Sequence, residues 1–513
     1  MRAARSFTVA ALFDQAFARF ADRVAVTSEN GSWTYAEVGD RSRRLAVGLQ
    51  ALSLSRGDRV AVLSPPRPEY VECYAAMARL GITVLTLNTR LHVEELAWCI
   101  ESGRPDAVFA AGEFGDRIAQ LRRLCPGVRD WVCLDGVTTD TVPYSALINN
   151  DGALSAEYPQ PEDIHNVLYT SGTTGRPKGA MISQSAAATR GLRVAQWFSL
   201  TPDDGFVGWL PMFHCAGDES LYGTFLTGGR YATFAKTDVE QMYARIESER
   251  LSWTLLLPGV ITNFLDNPAR ADHDLSSLRF AIGYANMMPH VIERLTRECS
   301  LDFYDAFGQT ETSYLLAHGV SHPGETPSLR KHACPLTEIA LVDSTMRPVE
   351  PGTPGECVVR GPSLMSGYLD NSEATGEAFD GGWLHTGDVL VENPDRTYSF
   401  VDRTKYLIKS GGENIYPAEI EQVLTEHPAV REACAFGVPD PRWGETVKVV
   451  VVPLEGAQVS PSELVQWCRQ RLAGYKTPRY VQLVAAEDLP RSTTGKVQRH
   501  VLVKAPLLES EML

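Results

Sequence analysis

The sequence predicts an α/β protein in two parts: a large N-terminal domain over residues 1–402, built of packed sheets and helices with a small β region, and a small α+β domain over residues 403–513. Three observations predict it. Short β-rich apolar runs alternate with helix-length segments in the first part, which is the rhythm of parallel strands covered by helices. From Glu338 that rhythm gives way to short strands set between Gly and Pro turns. Beyond Arg403 about 110 residues remain, enough for a separate small domain.

Along the chain, the N-terminal stretch ending at Phe20 mixes basic and apolar residues, and Asp14 and Arg19 interrupt it, so it reads as an amphipathic first helix rather than a secretory signal. Arg59-Val60-Ala61-Val62-Leu63, a Pro-rich turn, a helix near Glu69 to Leu80 and the run from Ile82 to Leu87 form a βαβ unit. Strands recur at Trp253 to Leu257 and Phe280 to Ile282, each followed by Pro or Gly and a helical pattern. The small β region is carried by Glu338 to Val342 and Gly355 to Arg360. The last part adds a strand at Val447 to Val452 and an amphipathic helix near Pro461 to Leu472.

Hydrophobic residues at 44% and charged residues at 22%, with no low-complexity tract, are the composition of a folded protein. The 48 Lys and Arg against 63 Asp and Glu leave a formal charge of −15, which argues against nucleic acid or an anionic membrane as partner. An anionic substrate would therefore need a locally basic site. The 10 cysteines are scattered without Cys-x-x-Cys pairs and read as reduced and mostly buried. No apolar run reaches the ~18 residues of a membrane span. Ser510-Glu511-Met512-Leu513 carries no peroxisomal or ER-retention signal, so the expected location is cytoplasmic.

The segment richest in chemistry is Tyr169-Thr170-Ser171-Gly172-Thr173-Thr174-Gly175-Arg176-Pro177-Lys178-Gly179, which follows strand-like Asn166-Val167-Leu168. Its glycines let backbone amides approach phosphate oxygens, its hydroxyls add donors, and Lys178 adds positive charge. It lacks the spacing Gly-x-x-x-x-Gly-Lys-Ser/Thr, so the common phosphate-loop NTPase reading fails. The segment resembles the signature of the adenylate-forming superfamily, which includes acyl-CoA synthetases, peptide-synthetase adenylation domains and beetle luciferases. Matching blocks follow in family order to near the C-terminus: Leu210-Pro211-Met212-Phe213-His214, Tyr304 to Thr312, Trp383 to Asp388, Asp402 to Lys405 with Gly411 to Glu421, and Pro490 to Lys496.

By that resemblance the reaction is ATP-dependent ligation of a carboxylic acid, fatty or aryl/alicyclic, to CoA through an acyl-adenylate. Thr170, Ser171, Gly172, Thr173, Thr174 and Lys178 would hold phosphates, and Thr170 would also assist catalysis. Gly283 and Ala285 would contact adenine, Phe307 would lie against it, and Thr310 would sit near phosphate. Glu311, a hard oxygen donor, would hold Mg²⁺. The two acceptor oxygens of Asp388 suit the ribose diol, and Arg403 would also contact the nucleotide. Lys496 would be the catalytic lysine, with His214 beside the acyl group.

The same resemblance implies a mobile C-terminal domain hinged at Lys405, whose rotation removes Lys496 and brings Gly411 and Gly412 to the thiol. His214, Cys215, Ala216, Gly283 and Ala306 would line the acyl pocket and, being mostly small, leave room for a bulky group. Expected partners are the acid, ATP, Mg²⁺ and CoA, with a homodimer as a further assembly. The alternative acceptor is an acyl carrier protein loaded by a stand-alone adenylation enzyme, although Gly411 to Glu421 looks more like CoA ligases.

The chain departs from the family pattern at three places. Tyr284 replaces a common glycine, Arg330-Lys331-His332-Ala333-Cys334-Pro335 replaces the usual Gly-Ser-x-Gly-x-Pro, and Asp218 and Glu219 fall beside an apolar pocket. The two carboxylates are expected either to face solvent or a neighbouring cation, or to recognise a substrate amine or hydroxyl. If buried they require partners.

Overall fold

A computed structural model of the chain describes residues 7–136, 140–154, 157–170, 177–283, 289–410, 413–491 and 497–506. It divides into two compact units, residues 1–339 with 359–384, and residues 340–358 with 385–513.

Among the described residues, the first unit is built on two large sheets. In one, the neighbours run Gly367–Tyr368, Lys178–Ser183, Ile164–Thr170, Thr83–Thr86, Arg59–Leu63, Ala107–Ala110, Asp130–Cys133 and Val142–Pro143. The strands from Ile164–Thr170 to Val142–Pro143 are parallel, and the first two are added antiparallel at one edge. The expected βαβ unit is present, with its helix at Pro68–Leu80 opening on proline and closing at Gly81, whose φ of +68° suits a residue without a side chain. Nearly every residue of that helix is buried, and Val60 to Leu63 and Val84 to Leu87 are 0–1% exposed, as strands covered on both faces must be.

The second large sheet carries Gly205–Gly208, Arg230–Thr233, Trp253–Leu255, Phe280–Gly283 and Asp302–Gln309 in parallel, with Ser313–Ser321 folded back antiparallel on the last. The turn of that hairpin holds the Thr310-Glu311 pair. Gly308 sits in the register shift just before it, and a Cβ there would stand 2.0 Å from the carbonyl oxygen of Ser313. The obstacle is backbone, which cannot swing aside, so Gly308→Ala should cost about 1–3 kcal/mol by overpacking, read as a shift in urea midpoint.

A four-stranded sheet, Glu338–Val342, Gly355–Arg360, Leu384–Glu392 and Tyr398–Arg403, forms the small β region; it was expected within residues 1–402, and most of it groups with the second unit. A further sheet pairs Gly444–Pro453 with Val430–Asp440, Ile408–Ser410 and Tyr480–Leu483. Helices Pro417–Thr425 and Pro461–Arg469 contribute Ile420, Leu424, Leu464 and Val465 to its core. The amphipathic first helix is Val9–Arg19 in the first unit, capped by Thr8 and buried through Val9, Leu12, Phe13 and Ala16. All ten cysteines are free thiols, eight of them buried.

Candidate active site

Strands Ile164–Thr170 and Lys178–Ser183 form an antiparallel hairpin in which Thr170 stands opposite Lys178, so both bracket the phosphate-type segment. The Thr170 hydroxyl donates to the Lys178 carbonyl at 3.3 Å. On the outer side of Lys178–Ser183 lies the short strand Gly367–Tyr368. Its tyrosine ties two predicted elements together: the Lys178 ammonium lies 5.2 Å from the Tyr368 ring centre, and the Tyr368 hydroxyl donates to Glu311 Oε1 at 2.9 Å. Burial, and then the Glu311 charge, push the Tyr368 hydroxyl above its ordinary range, so it stays a donor at neutral pH. Tyr368→Phe removes a bond to this carboxylate and should weaken the divalent cation that Glu311 is expected to hold by ~10-fold, measured as half-saturating cation concentration.

Glu311 also has its backbone fixed, since its carbonyl accepts from Met365 N at 2.8 Å. On the strand before that turn, Asp302–Gln309, Phe307 and Ala306 are buried, and Asp305 pairs in register with Gly283 of the neighbouring strand. The strands carrying the predicted adenine and pocket residues are therefore adjacent. His214 caps helix Cys215–Thr227, which is buried nearly all round and ends at Gly228. Ala216 is 1% exposed, and Cys215 and His214 are half-buried. Burial, then the charges of Glu219 and Asp218, raise the Cys215 thiol well above its usual range. The Thr310 carbonyl accepts from Arg190 Nη2 of helix Gln184–Trp197 at 3.1 Å.

The two unexpected carboxylates both face inward. Glu219 pairs with Arg190 at 3.0 Å, the cation that its burial demanded. Asp218 accepts from Asn166 Nδ2 at 2.6 Å, from the Tyr222 hydroxyl at 3.3 Å and from Glu219 N at 2.8 Å. Burial, and then the neighbouring Glu219 charge, raise the carboxyl of Asp218 far above the carboxylate range. Neither faces solvent. The Lys331 departure also has a local cause: its ammonium is buried against the Asp305 carboxylate and donates to the Leu329 carbonyl at 3.0 Å.

In the second unit Asp388 and Arg403 are cross-strand partners, with Arg403 Nε 2.9 Å from Asp388 Oδ1. Gly387, at φ +68°, allows the turn of backbone just before the buried Asp388. Lys405 is exposed in the single helical turn Thr404–Tyr406 that follows Tyr398–Arg403. Ser171, Gly172, Thr173, Thr174, Ala285, Gly411, Gly412 and Lys496 lie outside the described residues. The structure therefore gathers Thr170, Lys178 and Glu311, with Thr310 beside the last, within the first unit, and Asp388 with Arg403 within the second.

Two large, mostly parallel sheets followed by a smaller β-rich unit are the fold of an adenylate-forming enzyme. The chain belongs to the AMP-binding enzyme family: the family model matches residues 13–369, and that of the AMP-binding enzyme C-terminal domain matches residues 419–496. It is 34% identical to a feruloyl-CoA synthase of Amycolatopsis sp. over 92% of this chain and 94% of that one. It is 32% identical to an indoleacetate–CoA ligase of Aromatoleum aromaticum over 93% and 94%. Among solved structures, ATP-bound MatB from Rhodopseudomonas palustris superposes with a TM-score of 0.86 at 28% identity, covering 96% and 98% of the two chains. The amide bond synthetase McbA from Marinactinospora thermotolerans gives 0.87 at 27%, covering 96% and 99%.

Sequence reasoning missed Tyr368 and Arg190. Tyr368 reaches Glu311 across 57 residues, and Arg190 reaches the Thr310 carbonyl across 120. Both contacts depend on which strands and helices pair, and no local pattern in the chain announces that.

Proposed function

We propose that the protein is an AMP-forming acid–thiol ligase that activates an aryl or alicyclic carboxylic acid and transfers it to coenzyme A. The single observation that carries the reading is the junction at Tyr368, where the phosphate-hairpin lysine and the Glu311 carboxylate meet on one side chain. Curated relatives named as feruloyl-CoA synthase and indoleacetate–CoA ligase, similar to this chain over more than nine-tenths of its length, support CoA as acceptor and a ring-bearing acid as donor.

In the first step a carboxylate oxygen attacks the α-phosphorus of ATP and pyrophosphate leaves. In the second the CoA thiolate attacks the acyl carbonyl, AMP leaves, and the thiol proton goes to solvent or a base. The first step brings two anions together, so preorganised donors and cations must offset their repulsion. Lys178, Thr170 and Lys496 are the residues to which that work is assigned, with Asp388 and Arg403 on the nucleoside.

Magnesium would be held by Glu311. Among the described residues no three His, Cys, Asp or Glu cluster as a metal cage. One oriented carboxylate beside phosphates is the donor set this ion takes, keeping water and phosphate in its other positions. Residues 403–513 would act as the moving domain about Lys405. Ten free thiols fit a reducing, cytoplasmic setting. No helix among the described residues is long and apolar enough to cross a membrane.

The test is a panel of acids (ferulate, indoleacetate, benzoates, alicyclic propanoates, short to long fatty acids) with ATP, Mg²⁺ and CoA, following AMP and thioester by mass spectrometry. AMP and an aryl or alicyclic thioester forming together supports the reading. Acyl-adenylate accumulating without thioester points to an acyl carrier protein as acceptor, and turnover confined to fatty acids removes the ring-bearing substrate.

A further inference from the structure

The carboxylate turn Thr310-Glu311-Thr312 is followed by Ser313 at φ +106°, a conformation in which a side chain costs free energy and which persists only where surrounding contacts over-determine it. Those contacts are buried and charged. Arg190, 1% exposed, donates from Nη2 to the Thr310 carbonyl at 3.1 Å, from Nε to the Ser363 carbonyl at 2.8 Å and from Nη1 to Glu219 at 3.0 Å. Glu219, fully buried, accepts on its other oxygen from the Ser313 hydroxyl at 2.6 Å. Ser363 donates from its hydroxyl to the Thr312 carbonyl at 2.9 Å while accepting from Arg193 at the same distance. The residues on either side of Glu311, and the strained residue after them, are thus tied to one ion pair between helices Gln184–Trp197 and Cys215–Thr227.

An ion pair taken wholly out of water is a poor way to gain stability, because desolvation cancels most of its attraction. Here its hydrogen bonds converge on the single turn that presents Glu311. We propose that Arg190 and Glu219 are positioning residues for the metal-binding turn: through the Thr310 carbonyl, Ser313 and Ser363 they hold the strained backbone that aims Glu311 at the cation. The proposal rests on the reading of Glu311 as that cation's ligand.

The full-length protein would be titrated with Mn²⁺ as the probe in the presence of a non-hydrolysable ATP analogue, with bound metal read by electron paramagnetic resonance. Glu311→Gln should weaken Mn²⁺ by ~100-fold, which verifies the ligand independently. The paired change R190M/E219L removes both charges of the pair at similar volume, so neither partner is left buried without the other. It should keep a cooperative thermal transition yet weaken Mn²⁺ by ~10-fold. Thioester formation from supplied acyl-adenylate, a step after the metal's work, should stay within about threefold.

Should the pair fail to fold, Ser313→Gly decides. Glycine is at home at this φ, which offsets part of the hydrogen bond lost to Glu219, so a cooperative thermal transition should remain, while loss of the Glu219 tether should weaken Mn²⁺ several-fold. Unchanged Mn²⁺ affinity in a folded R190M/E219L protein, or in Ser313→Gly when that pair does not fold, overturns the proposal. Equal loss in both half-reactions would also overturn it, since that marks a general packing defect. Unchanged affinity in Glu311→Gln overturns the reading beneath it.

Discussion

Glu311→Gln is expected to lower adenylate formation by ~10²–10³-fold, the loss typical when one preorganised charge-stabilising contact is removed. The substitution keeps volume and the hydrogen bond from Tyr368 but replaces a hard anionic donor by a neutral amide. The fold should be untouched, because Glu311 is half-buried and its main-chain bond to Met365 does not involve the side chain. The effect should concentrate in the first half-reaction, where pyrophosphate departs. Pre-steady-state quench measurements separate the steps: slow adenylate formation with normal thioester formation from synthetic acyl-adenylate is the expected pattern. A drop confined to the second step would contradict the role given to this residue.

Lys496→Ala should act even more strongly, nearly abolishing adenylate formation, because a point charge meeting the carboxylate and α-phosphate is what the encounter of two anions requires. The half-reactions again discriminate. Acyl-adenylate supplied ready-made should be converted to thioester at close to the parental rate, since the lysine's role ends once the mixed anhydride exists. Equal impairment of both steps would refute the assignment. The two substitutions should also differ in cation dependence: Glu311→Gln raises the cation requirement, whereas Lys496→Ala leaves it unchanged.

Much of this fold was legible because its signals are contiguous. The βαβ unit from Arg59 to Leu87 announces itself by apolar runs, a proline opening the helix and a glycine closing it. The segment expected to hold phosphates stood out for a similar reason, since its hydroxyls, glycines and Lys178 are contiguous in the chain. What stayed hidden depends on pairing between remote segments. Nothing near Tyr368 in the chain reveals that its strand would add to Lys178–Ser183. Nothing near Glu219 reveals that its cation would come from Arg190 in the preceding helix. The expectation that Glu219 needed a partner was correct on desolvation grounds alone, while the solvent-facing alternative for Asp218 failed because its helix is covered on every side. The sequence marked Lys331 as a departure, and only the structure supplied its buried partner Asp305.

The three-strand edge around the phosphate segment also sets a rule for anyone transplanting it. Because Tyr368 stands opposite Ala180 and Thr170 opposite Lys178, a one-residue change of length inside either long strand would turn alternate side chains over and swing the tyrosine away from Glu311. The transferable cassette is consequently the hairpin together with the distant Gly367–Tyr368 strand. A graft of the loop alone would leave behind the side chain that joins it to the carboxylate.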